Sequence, residues 1–377
     1  MAPAYRYVSA DSHVNPLPTI WRERLPARWR DRAPRVVDRD DGQFLVFEGQ
    51  EQRIYALASV AGKKASDFKE ETRKIEKDFK PGGWDPEARI ADQDRDNVAA
   101  EVLYGGTLTF KTDDRELRFA LMQAYNDWLA EFCRAHPERL IGIAEIPTWD
   151  VELARQEAGR TRELGLRGVL IPAIPAVEGP WSTPADRPYT DPWYEPLWQT
   201  LSDLEMSANM HLGARPLTKG LDQDIMVSIV CNKAMMAEPI ASLIFSGALQ
   251  RNPKLKIVSV ESGIGWMAFL VGWMDKTWHK HRHWQKSPLT EEPSFYFHRQ
   301  VLGTFIEDRV GVDEREVIGV ENIMWSNDYP HSDSTWPNSV AAIEEHFEGV
   351  PEDEKFKIVA GNAAALYGIA LDRQAAA

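Results

Sequence analysis

The chain reads as an α/β protein built on a (β/α)8 barrel, a TIM barrel, with an inserted β-hairpin and a closing C-terminal helix. Three observations carry that expectation. Eight short apolar runs are spread along 377 residues, most of them separated by helical stretches. Polar residues that end these runs, Asp11 with His13, His211, Glu261 and Asp328, fall at the C-terminal ends of runs one, five, six and eight. A closed barrel gathers such ends at one mouth, whereas an open doubly wound sheet, the alternative, spreads them out. No internal repeat or low-complexity tract argues otherwise, apart from a short Ala tail.

In chain order, the first strand covers 5–10, where apolar and polar side chains alternate, and Asp11-Ser12-His13 closes it. A loop punctuated by Pro16, Pro18 and Pro26 follows. The stretch 36–60 then departs from the pattern: Asp40-Asp41-Gly42 separates two apolar runs, a hairpin signature, so a β-hairpin is expected as an insertion within one domain spanning 1–377. Residues 63–80 are dense in Lys, Glu and Asp and read as a solvated helix or lid. From 87 onward a helix towards Asn97 leads to strand 99–104, a long amphipathic helix over 116–136, strand 140–146, a helix over 151–164 and strand 168–172. A helix over 194–204, strand 207–211, a helix through the 230s and 240s, and strands 256–261, 300–305 and 323–328 complete the eight. The segment 353–371 reads as the closing helix.

Composition narrows the function classes. The apolar fraction of 43 % and charged fraction of 27 % are those of an ordinary globular protein. A formal net charge of -14 repels nucleic acid and anionic membranes. The first thirty residues lack an apolar targeting core, and no run of about 18 apolar residues exists, so a cytoplasmic protein without a membrane span is expected. Cys133 and Cys231 are too few and too far apart for a thiolate metal cluster, and both read as buried apolar fillers.

The strand-end residues carry the chemistry. Asp11 and His13 are two apart on an extended chain and point the same way. Burying several carboxylates and imidazoles together costs several kcal/mol each unless a cation or a network compensates, and a bound metal is the economical compensation. Further along, His279 and His283 are four apart, the helical spacing at which two imidazoles grip one ion. They lie about 20 residues past Glu261, so they reach the mouth only if that segment folds as an excursion above the barrel. His331, in a loop held by Pro330, and Arg299, before strand seven, are candidates for substrate contact, Arg299 by gripping a carboxylate.

Asp11-Ser12-His13 with Pro16, His211 at its strand end, Glu261-Ser262-Gly263-Ile264-Gly265-Trp266 and Asp328-Tyr329-Pro330-His331 together resemble the amidohydrolase superfamily. The resemblance is to the branch that includes aminocarboxymuconate semialdehyde decarboxylase and related aromatic-acid decarboxylases, and it runs from residue 5 to about residue 370. It implies that Asp11, His13, His211 and Asp328 are metal ligands, that Asp328 also moves a proton, and that the protein is a homodimer or higher homo-oligomer. At Glu261 the sequence departs from the decarboxylases, which place an acid-base His there, and a carboxyl is a different tool from an imidazole near neutral pH.

One catalytic divalent ion needs three or four protein groups. Glu261 with His279, His283 or His331 is then a surplus, which a second metal would use, and the mixed donor set suits iron or manganese at least as well as zinc. Some amidohydrolase-fold proteins are dinuclear iron or manganese/iron oxygenases, and this sequence resembles them in Glu261 and the extra histidines. The leading expectation is a two-iron monooxygenase that uses O2 to hydroxylate a small organic acid or natural-product intermediate, with Asp328 and Glu261 catalytic. The alternative is a mononuclear Zn or Mn hydrolase or decarboxylase acting on a carboxylate-bearing substrate, and a third reading is a catalytically silent barrel kept as a partner subunit.

Overall fold

The computed structural model describes residues 5–40, 42–54, 59–63, 74–105, 110, 112–175, 187–212 and 221–371. Strand β1 (Tyr7–His13) is buried along its whole length. Strands β2 (Arg35–Arg39), β3 (Gly42–Phe47) and β4 (Gln50–Arg53) form a separate antiparallel sheet. The remaining strands, β5 (Val98–Tyr104), β6 (Leu140–Glu145), β7 (Gly168–Ile171), β8 (Ser207–His211), β9 (Ile257–Val260), β10 (Val301–Phe305) and β11 (Ile323–Trp325), join β1 in an eight-stranded parallel sheet whose neighbours follow chain order. The Asp328 amide donates to the Asp11 carbonyl at 3.1 Å and the His13 amide to the Tyr329 carbonyl at 2.6 Å, which ties the end of the sheet back to its beginning. This is the expected (β/α)8 barrel.

The helices begin where their caps are. Asp85, Asp114 and Asp150 each accept hydrogen bonds from first-turn amides of the helices Pro86–Arg95, Arg115–Arg134 and Val151–Glu163. Each such cap stabilises by about 1 kcal/mol. Inside the barrel, Val8, Ala100, Val102, Tyr104, Ile141, Ile143, Val258, Val260 and Met324 pack against one another and against Ala360, Ala363 and Tyr367 of the C-terminal segment. The Tyr367 hydroxyl reaches Asn209 Oδ1 at 2.9 Å, and Tyr104 donates to the same oxygen at 3.1 Å. The C-terminal segment thereby closes the floor of the barrel and leaves the mouth at the strand C-termini.

Several details differ from the sequence reading. The insertion is a three-stranded sheet, because Glu48 and Gly49, at φ +47° and +76°, turn the chain once more into β4. The closing helix is three short pieces, Glu352–Phe356, a wider turn over Lys357–Gly361, and Asn362–Tyr367. The helix of the 230s and 240s is two, Leu221–Met235 and Ala237–Phe245. Cys133 is buried as expected, but Cys231 is exposed. Most of the charged stretch read as a lid, 64–73, lies outside the described residues, as do 55–58 of the insertion. Among the described residues no helix is long and apolar enough to cross a membrane.

Candidate metal centre

At the barrel mouth β1 contributes Asp11 and His13, β8 ends on His211, and the chain just past β9 and β11 presents Glu261 and Asp328. Both of these carboxylates sit in left-handed backbone, Glu261 at φ +57° and Asp328 at φ +53°. Non-glycine residues seldom adopt that region, and they do so where the surroundings hold them in place. The turn at Asp328 also brings His331 back over the mouth, where its ring stacks on His13 with centroids 3.7 Å apart.

The side chains converge. His13 Nε2 lies 3.5 Å from Asp11 Oδ1 and 3.1 Å from Asp328 Oδ1, and His211 Nε2 lies 3.5 Å from Asp11 Oδ1 and 3.4 Å from Glu261 Oε2. His331 Nδ1 is 3.1 Å from Asp328 Oδ1. Two overlapping sets result, Asp11, His13, His211 and Glu261, and His13, Glu261, Asp328 and His331, each with ligand atoms within 4.8 Å of one another. Asp11, His13, His211 and Asp328 are buried. Both Asp11 oxygens, both Asp328 oxygens and His13 Nε2 find no hydrogen bond of good geometry among the described residues. Unsatisfied buried carboxylate oxygens facing imidazole nitrogens fit a bound divalent cation, to which either set offers mixed carboxylate and imidazole donors. The His211 Nδ1 faces the Leu212 carbonyl at 3.1 Å, so the neutral tautomer that donates there turns the Nε2 lone pair towards Asp11 and Glu261, where a cation would take it.

Electrostatics in the metal-free pocket are uneven. Burial and the neighbouring His331 push His13 down to about 4. Burial would lower His211 as well, but Asp11 and Glu261 outweigh it and lift that imidazole to about 9. Burial and the Asp328 charge hold the Glu261 carboxyl above the usual carboxylate range. Burial would raise Asp328 too, yet His331 and His13 keep it ionised, and Asp328 in turn raises His331.

Three residues expected at the site are elsewhere. The helix Gly265–Gln285 starts directly after the β9 turn and runs unbroken away from the mouth, so there is no excursion above the barrel. At 1.5 Å per residue His279 and His283 end up about 20 to 30 Å along it. His279 instead contacts Glu292 at 2.5 Å, and both histidines are exposed. Arg299 precedes β10 and so lies at the opposite end of the barrel, where it donates to the Leu249 carbonyl and to Gln300 Oε1.

The sequence reading also missed the support beneath the ligands. Arg89 is fully buried and donates to the carbonyls of His13 at 2.6 Å, Gly82 at 3.2 Å and Tyr329 at 3.4 Å, while its Nε pairs with Glu101. Asn327 Oδ1 accepts from Ser9 and Ser12 at 3.0 and 2.9 Å. The residues flanking two ligand positions, on β1 and after β11, are thus fixed by one guanidinium and one amide. The available signal was Glu101, a charge inside an otherwise apolar strand.

Residues 10–369 match the family model described as Amidohydrolase. Among curated proteins, the chain is 26 % identical over 258 residues to the 2-amino-3-carboxymuconate-6-semialdehyde decarboxylase of Dictyostelium discoideum, covering 66 % of this chain and 67 % of that one. It is 27 % identical over 328 residues to the gamma-resorcylate decarboxylase of Rhodococcus jostii, covering 77 % and 92 %. Among solved structures, an amidohydrolase from Mycobacterium avium subsp. paratuberculosis superposes with a TM-score of 0.76 at 20 % identity, covering 97 % of this chain and all of the other. A manganese-bound dihydroxybenzoic acid decarboxylase from Polaromonas superposes with a TM-score of 0.63 at 19 % identity, covering 97 % of each.

Proposed function

The chain belongs to the amidohydrolase family, and from that premise we propose that it is a divalent-metal-dependent decarboxylase of a small aromatic acid. The observation that carries the reading is the pair of overlapping ligand sets at the mouth, Asp11, His13, His211 and Glu261, and His13, Glu261, Asp328 and His331, with the buried oxygens of Asp11 and Asp328 unsatisfied among the described residues. The curated relatives, named as decarboxylases of unsaturated or aromatic acids, support it.

Asp11, His13, His211 and Asp328, the ligands the family resemblance implies, would hold the ion, with manganese favoured by the carboxylate-rich set and zinc the alternative. When bound, a divalent cation supplies positive charge that orients an anionic substrate and stabilises negative charge developing on it. His331 is the most open of the imidazoles at the mouth, at 25 % side-chain exposure, and the Asp328 charge favours its cationic form, so it is placed to meet the substrate carboxylate. Glu261, which burial and the Asp328 charge hold above the usual carboxylate range when no cation is bound, is assigned the acid's role. It delivers a proton to the ring carbon bearing the carboxylate, the bond from that carbon to the carboxyl carbon breaks, CO2 leaves, and Glu261 is left ionised until solvent returns its proton. Asp328, kept ionised by His331 and His13, is no donor at neutral pH. Glu261 takes the acid's task that an imidazole would otherwise perform.

A two-ion oxygenase is the second reading, favoured by one observation: the mouth presents two overlapping ligand sets, joined through His13 and Glu261. With His279 and His283 remote, that reading depends on His331 as the added imidazole. Incubation of manganese-loaded protein with hydroxybenzoates such as 2,6-dihydroxybenzoate, without oxygen, separates the two. Decarboxylation predicts CO2 release that chelation abolishes. Product formation only with O2, with two metal equivalents per chain, would overturn it.

A further inference from the structure

The barrel has a second concave face, at the end opposite the metal centre. A cavity of about 590 Å3 lies there between the start of β6, the turns that lead into β7 and β8, and the last residues of the C-terminal segment, Ala365 to Gly368. Its volume falls within the range of about 300 to 1,000 Å3 that small-molecule sites occupy. Arg134, Arg162 and Arg167 line it, and Glu205 is the one carboxylate among the described residues that do so. A neighbouring cavity of about 410 Å3 shares Glu205, Ala365 and Leu366 with the first and adds Lys254 and Lys256. Three arginines and two lysines against one acid reverse, locally, the sign of a chain whose net charge is -14.

These cations are not neutralised by acids. Arg167 is half-buried and donates from Nη1 to the carbonyls of Tyr367 and Gly368, the latter at 2.9 Å, and from Nη2 to the carbonyl of Pro137 at 3.1 Å. Carbonyls hold the guanidinium in place but leave its charge uncompensated, and its Nε has no hydrogen-bond partner among the described residues. Burial and the nearby Arg162 charge pull Arg167 below the usual arginine range. On the helix of Arg162 the residues three and four positions before it are Gly159 and Ala158, so no carboxylate sits there to pair with it. Glu131, one turn before Arg134, is taken by Arg24 at 2.5 Å. Lys256 donates to the Arg299 carbonyl at 2.5 Å. Lys254 reaches Glu205 at 3.6 Å, and both are more than two-thirds exposed, so that pair contributes little.

Like charges kept together around a concavity, with carbonyls rather than carboxylates as their partners, are suited to an anion. Guanidinium forks bind phosphate oxygens in pairs, and several of them favour a doubly charged group over a single carboxylate. The same cavity has an apolar wall in Ala130, Leu140 and Leu164, which suits a small organic body. An extended polyanion does not fit a closed concavity on so acidic a chain. We propose that this cavity at the barrel floor binds a small organic phosphate monoester, its phosphate held by Arg134, Arg162 and Arg167 and its organic part against Ala130, Leu140 and Leu164. Glu205 and His211 bracket β8, about 20 Å apart at the rise of a strand, so this site is separate from the metal centre and does not rest on the reaction assigned there.

Calorimetric titration of the manganese-loaded, dialysed full chain with phenyl phosphate tests this. The wild type is expected to bind one equivalent saturably, and inorganic phosphate to bind more weakly because it lacks the organic part. Arg134 and Arg162 are exposed, so R134A/R162A is expected to fold, which near-UV circular dichroism checks, and to bind phenyl phosphate at least 10-fold more weakly. R28A/R35A removes the same charge elsewhere on the surface, and Asp11→Asn disables the metal centre; both are expected to bind as the wild type does. A wild type without saturable binding, an R134A/R162A variant that binds as tightly as the wild type, or an equal loss in R28A/R35A would overturn the proposal. So would inorganic phosphate binding as tightly as phenyl phosphate, or loss of binding in Asp11→Asn, which would put the phosphate on the metal.

Discussion

At Glu261 burial and the Asp328 charge act in the same direction, and both favour the protonated carboxyl. Glu261→Gln keeps the shape and removes the transferable proton. Turnover is expected to fall about 100- to 10,000-fold, with metal content unchanged by elemental analysis; loss of the metal in that variant would instead make Glu261 a ligand. His211 gives a second prediction. Its pKa is raised to about 9 in the metal-free pocket, so at pH 7 it carries a proton that a cation must displace, whereas His13, lowered to about 4, is already neutral. Metal binding at pH 7 should therefore release a proton and tighten as pH rises towards 9. Calorimetry in buffers of different ionisation enthalpy reads that proton, and a heat independent of buffer contradicts it. At this scale the strand-end residues were legible because each interrupts an apolar run. His331 was legible as a candidate beside Asp328, but its stacking on His13 was not, since the left-handed turn at Asp328 that folds it back leaves no mark in a sequence where the residue is aspartate.

Among the elements, the helix Pro86–Arg95 and strand β5 meet through the Arg89 and Glu101 pair, both fully buried. Removing one partner leaves the other charge without compensation, so Arg89→Met is expected to destabilise by about 3 to 5 kcal/mol. Denaturant unfolding measures that loss. The double variant R89M/E101L should recover much of it, and a double variant no more stable than the single one would show that the carbonyl contacts of Arg89, rather than its charge, hold the structure. Helix starts were legible where an aspartate cap precedes the first turn, as at Asp85, Asp114 and Asp150. Strand β4 was not, because Gln50-Glu51-Gln52-Arg53 is an exposed edge with no apolar alternation to reveal it. The spacing of His279 and His283 does place them four apart on a helix; what spacing cannot give is the helix's direction, and this one leads away from the mouth.

For the whole molecule, the strand count and order followed from the alternation of apolar runs and helices, because each parallel strand needs a crossover that returns the chain to the same end. Closure then does what no local pattern can: it brings Asp11 and Asp328, 317 positions apart in the chain, to the same imidazole. The site thus exists only in the closed barrel, and a cation bound there should stabilise the fold it depends on. The most direct test is elemental analysis of protein equilibrated with manganese and dialysed, beside the Asp11→Asn and His211→Ala variants. The account predicts retained divalent metal in the wild type, its loss in both variants, and a lower melting temperature whenever the metal is absent. A wild type that holds no divalent metal, or variants that keep it, would contradict it.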